Sequence, residues 1–162
     1  MGTSHDASRA FLRHAVATLA YRGAKAVRGA TAGFAAFTAA QGGNSPLVIL
    51  RHIGDLLEWS LRIATGDERW QEAKPVSWEE EIKRFFAGLS AFDSYLASDA
   101  PIAFPPERIF QGAIADALTH VGQIAALRRL SGSPMKAENY FQADIVIGRV
   151  GPEQTPAKRE FD

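Results

Sequence analysis

The stretch from Glu107 to Leu130 reads ERIFQGAIADALTHVGQIAALRRL, and its apolar residues recur at steps of three and four. That spacing is typical of one face of an α-helix. The predicted face consists of Ile109, Ala113, Ala117, His120, Ile124 and Leu127. A helix of this length with one apolar face has to bury that face against neighbouring elements, so the stretch predicts a helical core.

Three earlier segments also predict helices. The first runs from about Ser8 to Gly29, and its small and apolar residues follow the same period. The second follows Ser45, a natural N-cap, and has proline at its first position. The third begins at Ser77, with a glutamate three residues later in capping-box spacing. Four amphipathic helices without credible strands predict an all-α fold, a single four-helix bundle spanning residues 1–162.

The connections predict how these helices are arranged. Residues 30–44 are rich in alanine, glycine and threonine, and the segment is long enough to cross the end of a bundle. The first and second helices therefore need not be antiparallel neighbours. Beyond Pro134 the pattern becomes irregular. Residues 145–150 have some β character but no partner strand elsewhere, and the polar tail from about Gly151 is expected to be loose.

Composition excludes several classes of protein. The 162 residues carry 18 Lys plus Arg and 18 Asp plus Glu, and this balance makes a nucleic-acid partner unexpected. There is no cysteine, which excludes disulfides and thiolate catalysis by the protein's own side chains. No apolar run is long enough to span a membrane, and the N-terminus lacks the apolar centre of a signal peptide. The expected location is the cytoplasm.

The charges are unevenly distributed along the chain. No acidic residue lies between Asp6 and Asp55. The basic residues in this interval are Arg9, Arg13, Arg22, Lys25, Arg28 and Arg51. Two readings are open: a solvated basic face paired with acids elsewhere, such as residues 79–81, or a local attraction for an anionic substrate or cofactor.

Three side chains predict a metal site. Asp116 and His120 are four residues apart, which on a helix separates them by about 40° around the axis and about 6 Å along it. They therefore point the same way. A further histidine, His52, lies in the apolar stripe of the second helix. We expect His52, Asp116 and His120 to face the interior and to form a three-ligand metal site.

Alternative roles remain open for these residues. An aspartate among apolar neighbours is costly to bury unless it is paired or binds a metal, and Asp116 has possible ion-pair partners in Arg108 and Arg128. A lone histidine such as His52 is commonly a hydrogen-bonded core residue. Gly112, one turn before Asp116, either leaves room for a substrate or water or allows close helix packing.

The residue types suit catalysis better than a closed structural site. Two imidazoles and one carboxylate are ligands for Zn²⁺, Ni²⁺, Fe²⁺ or Mn²⁺. Three protein ligands leave coordination positions open, and a single carboxylate leaves the bound ion with a net charge of about +1, enough to acidify a water or a thiol. Gln123 and Asp55, each three residues after a histidine, could orient the ring nitrogens.

Two motifs resemble the DinB/YfiT-like superfamily of metalloenzymes: LRHIGDLLEW around His52, and Asp116-x-x-x-His120 followed by Val-Gly-Gln-Ile. The resemblance covers the chain from the first helix to about Val150. In that family the second helix gives one histidine and the fourth gives a His-x-x-x-His pair. Asp116 stands here at the first position of that pair. Aspartate is a competent ligand, but the change leaves metal preference and reaction open.

The resemblance implies a four-helix bundle with a long crossover connection, a divalent metal and a homodimer. Relatives include metal-dependent transferases that use low-molecular-weight thiols such as mycothiol or bacillithiol, a mycothiol-dependent maleylpyruvate isomerase and proposed hydrolases. The expected function is therefore metal-dependent activation of a thiol, for S-transfer to or isomerisation of a small-molecule substrate. Metal-dependent hydrolysis and a non-enzymatic dimeric binding module with a vestigial site remain alternatives.

Overall fold

A computed structural model of the protein describes residues 3–161, with side chains from residue 7 onward. The helices are α1 (Thr3–Val27), α2 (Pro46–Thr65), α3 (Trp78–Ala97), α4 (Pro106–Ile109) and α5 (Ala115–Leu130). A π-helix at Phe110–Ile114 joins α4 to α5, so residues 106–130 form one continuous helical run. Short 3₁₀-helices lie at Ala32–Ala36 and Tyr140–Gln142, and two short strands are β1 (Ala137–Glu138) and β2 (Glu160–Phe161). The prediction of a mainly helical fold is confirmed.

The predicted caps explain where the middle helices begin and end. The Ser45 hydroxyl accepts a hydrogen bond from the Val48 amide at the start of α2, at 3.4 Å. The Ser77 hydroxyl accepts one from the Glu80 amide at the start of α3, at 3.2 Å. Helix α2 ends at Gly66, whose φ of 98° is the left-handed conformation that glycine adopts readily. Local sequence therefore determines these boundaries.

Helices adjacent in sequence are not all adjacent in space. Helix α1 packs against α3 and α5, and α2 packs against the same two helices, so α1 and α2 lie on a diagonal. This agrees with the prediction that the first connection crosses the end of the bundle. Within the second pair, a Cβ at Gly54 would contact Arg84 and one at Gly88 would contact Leu57, which shows that α2 and α3 run parallel.

Because α2 and α3 are parallel, residues 66–77 return along the length of the bundle; we call this segment the crossover. An extended chain covers about 3.3 Å per residue, enough to match the roughly 30 Å of a 20-residue helix. The crossover is fixed to α2 along its course. The indole N–H of Trp59 donates to the carbonyl of Glu68 at 3.0 Å, and the amide of Ala73 donates to the Asp55 carboxylate at 3.3 Å.

Ion pairs account for much of the basic N-terminal region. Arg13 binds Asp93 of α3 at 2.9 Å, and Arg51 binds Asp55 at 2.7 Å. The interpretation of a basic face paired with acids elsewhere therefore describes Arg13 and Arg51. Their acidic partners, however, lie outside residues 79–81. Basic residues of α1 that tie helices together in this way contribute to the packing of the bundle.

The C-terminal tail folds back onto α1, in contrast to the predicted loose end. Strand β2 pairs antiparallel with β1, and Lys25 binds both Glu138 and Glu160, at 2.7 and 2.8 Å. The Tyr21 hydroxyl donates to the buried Glu138 carboxylate at 2.5 Å, and burial together with this hydrogen bond raises the pKa of Tyr21 well above its usual value. Residues 145–150 form no strand. Long-range charge pairing, invisible in a local sequence pattern, holds the tail.

Within residues 3–161, no helix combines the length and apolarity needed to cross a membrane.

Two glycine substitutions test the packing of α1. A Cβ at Gly23 would overlap the fully buried Phe85 ring, so Gly23→Ala is expected to destabilise the fold by roughly 1–3 kcal/mol. The matched control is Gly122→Ala on α5, where no atom lies within 4 Å of an added Cβ. The control is expected to stabilise the protein by up to about 1 kcal/mol. Urea denaturation measures both free energies of unfolding, and equal effects would contradict the α1–α3 packing.

Candidate metal centre

The π-helix determines which face of α5 is buried. In a regular α-helix starting at Ile109, the apolar period would bury the row that contains Asp116 and His120. The extra residue in the π turn moves the buried row by one position. The buried residues of α5 are Ala117, Val121, Ile124 and Arg128. Asp116, His120 and Gln123 consequently occupy the next row, about 100° around the helix, at the edge that faces α2.

The prediction that all three ligands face the interior is therefore wrong for Asp116. Its side chain is 47% exposed, whereas those of His52 and His120 are 30% and 20% exposed. Asp116 needs no metal to offset a cost of burial, because it remains in contact with water. The case for a metal site at these residues accordingly depends on geometry and ligand chemistry.

The structure brings the three predicted residues together. His52 Nε2 lies 3.7 Å from Asp116 Oδ2, and His120 Nε2 lies 3.5 Å from Asp116 Oδ1. The two imidazole rings are 4.7 Å apart and nearly perpendicular, at 87°. Two ligand atoms that share a tetrahedral metal ion, each about 2.1 Å from it, are roughly 3.4 Å apart. One ligand atom from each residue lies within 4.8 Å of the others, so the group could hold a metal ion.

The alternative ion pairs for Asp116 are not formed. Among the side chains of residues 7–161, the charged partners of Asp116 are His52 and His120. The Arg128 guanidinium lies elsewhere, where it donates to the carbonyl oxygens of Ala26, Arg28 and Ser133. The carboxylate thus faces two imidazoles, and no arginine or lysine among the described side chains pairs with it.

Gln123 orients one of the imidazoles. Its side-chain oxygen accepts a hydrogen bond from His120 Nδ1 at 2.8 Å. A proton on Nδ1 leaves the lone pair of Nε2 directed towards Asp116, which is the tautomer a metal ligand requires. Gln123 lies three residues after His120, and this spacing predicts the contact. The contact is made by Nδ1, which leaves Nε2 for a metal.

Asp55 does not orient His52. Its side chain is fully buried on another face of α2, where Arg51 binds one carboxylate oxygen at 2.7 Å and Arg84 binds the other at 2.5 Å. The spacing of three residues on α2 suggested a contact between Asp55 and His52. It could not show that Arg84 of α3 pairs with Asp55 instead. Asp55 therefore has a structural role.

Trp70 is a part of the site that sequence reasoning missed. Its ring lies 5.5 Å from the His52 ring and 5.7 Å from the Trp59 ring, which it meets edge-on at 83°. Trp70 belongs to the crossover, where a large aromatic residue in a polar segment was the available signal. Its indole shields His52 on one side and lowers the local polarity around that ligand.

The hydrogen bond from Gln123 can be tested in the protein without metal. In the wild type we expect the neutral His120 ring to carry its proton on Nδ1, and in Gln123→Leu we expect a mixture of tautomers because the acceptor is lost. Nitrogen-15 NMR of the imidazole distinguishes the two forms. The Leu variant should also bind Zn²⁺ about 10–100-fold more weakly. Gln123→Glu, which retains an acceptor, is the control, and an unchanged tautomer in the Leu variant would exclude the orienting role.

No protein-family model matches this chain, and comparison with curated proteins and with solved structures likewise finds no match.

Proposed function

We propose that the protein is a divalent-metal-dependent enzyme in which His52, Asp116 and His120 bind the ion. In this proposal the ion activates a low-molecular-weight thiol for S-transfer to, or isomerisation of, a small-molecule substrate. The observation that carries the proposal is the convergence of three ligand atoms within 4.8 Å of one another from two different helices. The resemblance of the motifs around His52 and His120 to the DinB/YfiT-like superfamily supports the same assignment.

The donor set fits a divalent transition metal. Two neutral imidazoles and one carboxylate suit Zn²⁺, Ni²⁺, Fe²⁺ and Mn²⁺, and they leave open coordination positions. A bound ion would supply Lewis acidity, which lowers the pKa of a thiol or water held in those positions.

The residues around the ligands have separate tasks. Gln123 holds the His120 ring in the tautomer that presents Nε2. Asp116 supplies the one negative charge, so that the occupied site keeps a net positive charge of about +1 and attracts a thiolate or another anion. Trp70 covers His52 on one side, while the partial exposure of all three ligands leaves the other side accessible to a bulky cofactor and a substrate.

The absence of cysteine determines where a thiol would come from. The protein has no sulfhydryl group of its own, so the nucleophilic sulfur has to belong to a soluble cofactor. In S-transfer, the sulfur forms a bond to an electrophilic carbon, its proton passes to solvent, and the leaving group departs with the electron pair of the bond that breaks. Water is the competing nucleophile in an open site of this kind.

Metal content tests the ligand assignment. Protein prepared without added metal or a nickel affinity column should carry, or take up on reconstitution, about one transition-metal ion per chain. His120→Ala should lose the ion, whereas His14→Ala, an exposed histidine on α1, should retain it. When free metal is at about 100 times its dissociation constant, binding adds about 2.7 kcal/mol to the free energy of unfolding. A chelator should therefore lower the melting temperature of the wild type by roughly 5–10 °C. Unchanged metal content in a folded His120→Ala variant would contradict the site.

Cobalt spectroscopy separates the thiol from water. When Co²⁺ replaces the native ion, addition of a small thiol such as 2-mercaptoethanol should produce a sulfur-to-cobalt charge-transfer band, because thiolate is a soft, charge-donating ligand. The band should be absent in His120→Ala and present in His14→Ala. If the cobalt protein keeps its spectrum unchanged with thiol, the thiol proposal is wrong and hydrolysis by an activated water becomes the better reading.

A further inference from the structure

A shallow cleft adjoins the metal centre. It lies between α2 and the start of α5 and has a volume of about 430 Å³. Asp116, Gln111 and Thr119 provide its polar lining, and the other lining residues are Leu56, Trp59, Gly112 and Ala115. Because Asp116 belongs both to the cleft and to the proposed ligand set, a molecule bound at the metal could extend directly into this space.

The Trp59 wall of the cleft is held in a defined position. The Trp59 indole donates to the Glu68 carbonyl at 3.0 Å, and the Trp70 ring packs edge-on against it. Leu56, one turn after His52, is almost fully buried and contributes little of the exposed lining. The cleft thus combines the fixed Trp59 ring and Ala115 with the polar side chains of Gln111, Asp116 and Thr119, and small-molecule sites likewise join apolar walls to a few polar groups.

Gly112 lies beside Trp59 in the lining of the cleft. Glycine inside a helix costs about 1 kcal/mol relative to alanine, and close packing is one reason for its presence. Packing supplies that reason at Gly23 and Gly88, where a Cβ would clash with Phe85 and Leu57. At Gly112, an added Cβ would meet the Trp59 ring at 3.9 Å, an ordinary van der Waals distance. An alanine would therefore fit at Gly112, whereas a larger side chain would occupy part of the cleft.

We propose that this cleft binds a compact apolar group of the substrate, of the size of a phenyl ring, while an oxygen or sulfur atom of the same molecule binds the metal. The inference rests on the proposed metal function and adds the substrate class: a small molecule that joins a metal-coordinating head to an apolar body. The positive charge that a bound ion would bring to Asp116 and the Trp59 ring beside it would select for that combination.

Two hydroxamates test the inference, since both carry the same metal-chelating head. Acetohydroxamate bears a methyl group and benzohydroxamate a phenyl ring. Calorimetric titration of the Zn²⁺-loaded wild type should show that benzohydroxamate binds at least tenfold more tightly, because its ring is removed from water in the cleft. In Gly112→Leu the added side chain fills the space, so the two affinities should become equal while acetohydroxamate binding stays unchanged.

Matched variants keep the test decisive. Gly122→Leu, on the open side of α5, should preserve the tenfold preference. Ala115→Leu fills the cleft from a second position and should abolish the preference if Gly112→Leu fails to fold. If the wild type binds Zn²⁺ but shows no preference between the hydroxamates, the cleft proposal alone is overturned. If the protein binds neither Zn²⁺ nor either hydroxamate, the metal function fails and the cleft proposal fails with it.

Discussion

The buried carboxylate of Asp55 is the interaction on which the arrangement around the site depends. A charge removed from water has to be compensated, and Asp55 obtains that compensation from Arg51 on its own helix, from Arg84 on α3 and from the amide of Ala73 on the crossover. One side chain thereby joins α2, α3 and the returning segment. Because His52 follows Arg51 directly and Trp70 lies on the same returning segment, this cluster also fixes the α2 half of the candidate metal centre.

Two polar clusters, one around Asp55 and one around His52, therefore lie on adjacent faces of α2. They show how much can be predicted from the spacing of residues in the sequence. The pattern around residues 45–66 predicted the helix, its caps and the presence of His52 on the side facing the fourth helix. It could not show whether Asp55 orients His52 or pairs with a residue of α3. Asp55 lies three residues after His52 in either case. Only the partner supplied by α3 decides between them, and that partner is distant in sequence.

The π-helix at Phe110–Ile114 shows a second limit of prediction. A regular helical period predicted that Asp116 and His120 share one face of the helix, but it placed Asp116 in the interior. The wider turn moves the buried row by one residue and brings Asp116 to the surface. Sequence periodicity assumes a constant number of residues per turn, so it cannot anticipate such a shift. The same displacement leaves Asp116 and His120 partly accessible from solvent, as the proposed substrate-binding centre requires.

The diagonal placement of α1 and α2 has a consequence for how the chain acquires its structure. Helix α1 obtains its long-range contacts from residues far along the chain, as in the pairs Arg13 with Asp93 and Arg128 with Ala26, separated by 80 and 102 residues. Within residues 3–161, α1 packs against α3 and α5, so a chain made from the N-terminus on the ribosome provides the first of these partners late and the second last. The apolar face of α1 is thus the surface that a nascent chain exposes longest. We expect chaperones to assist folding most at this surface.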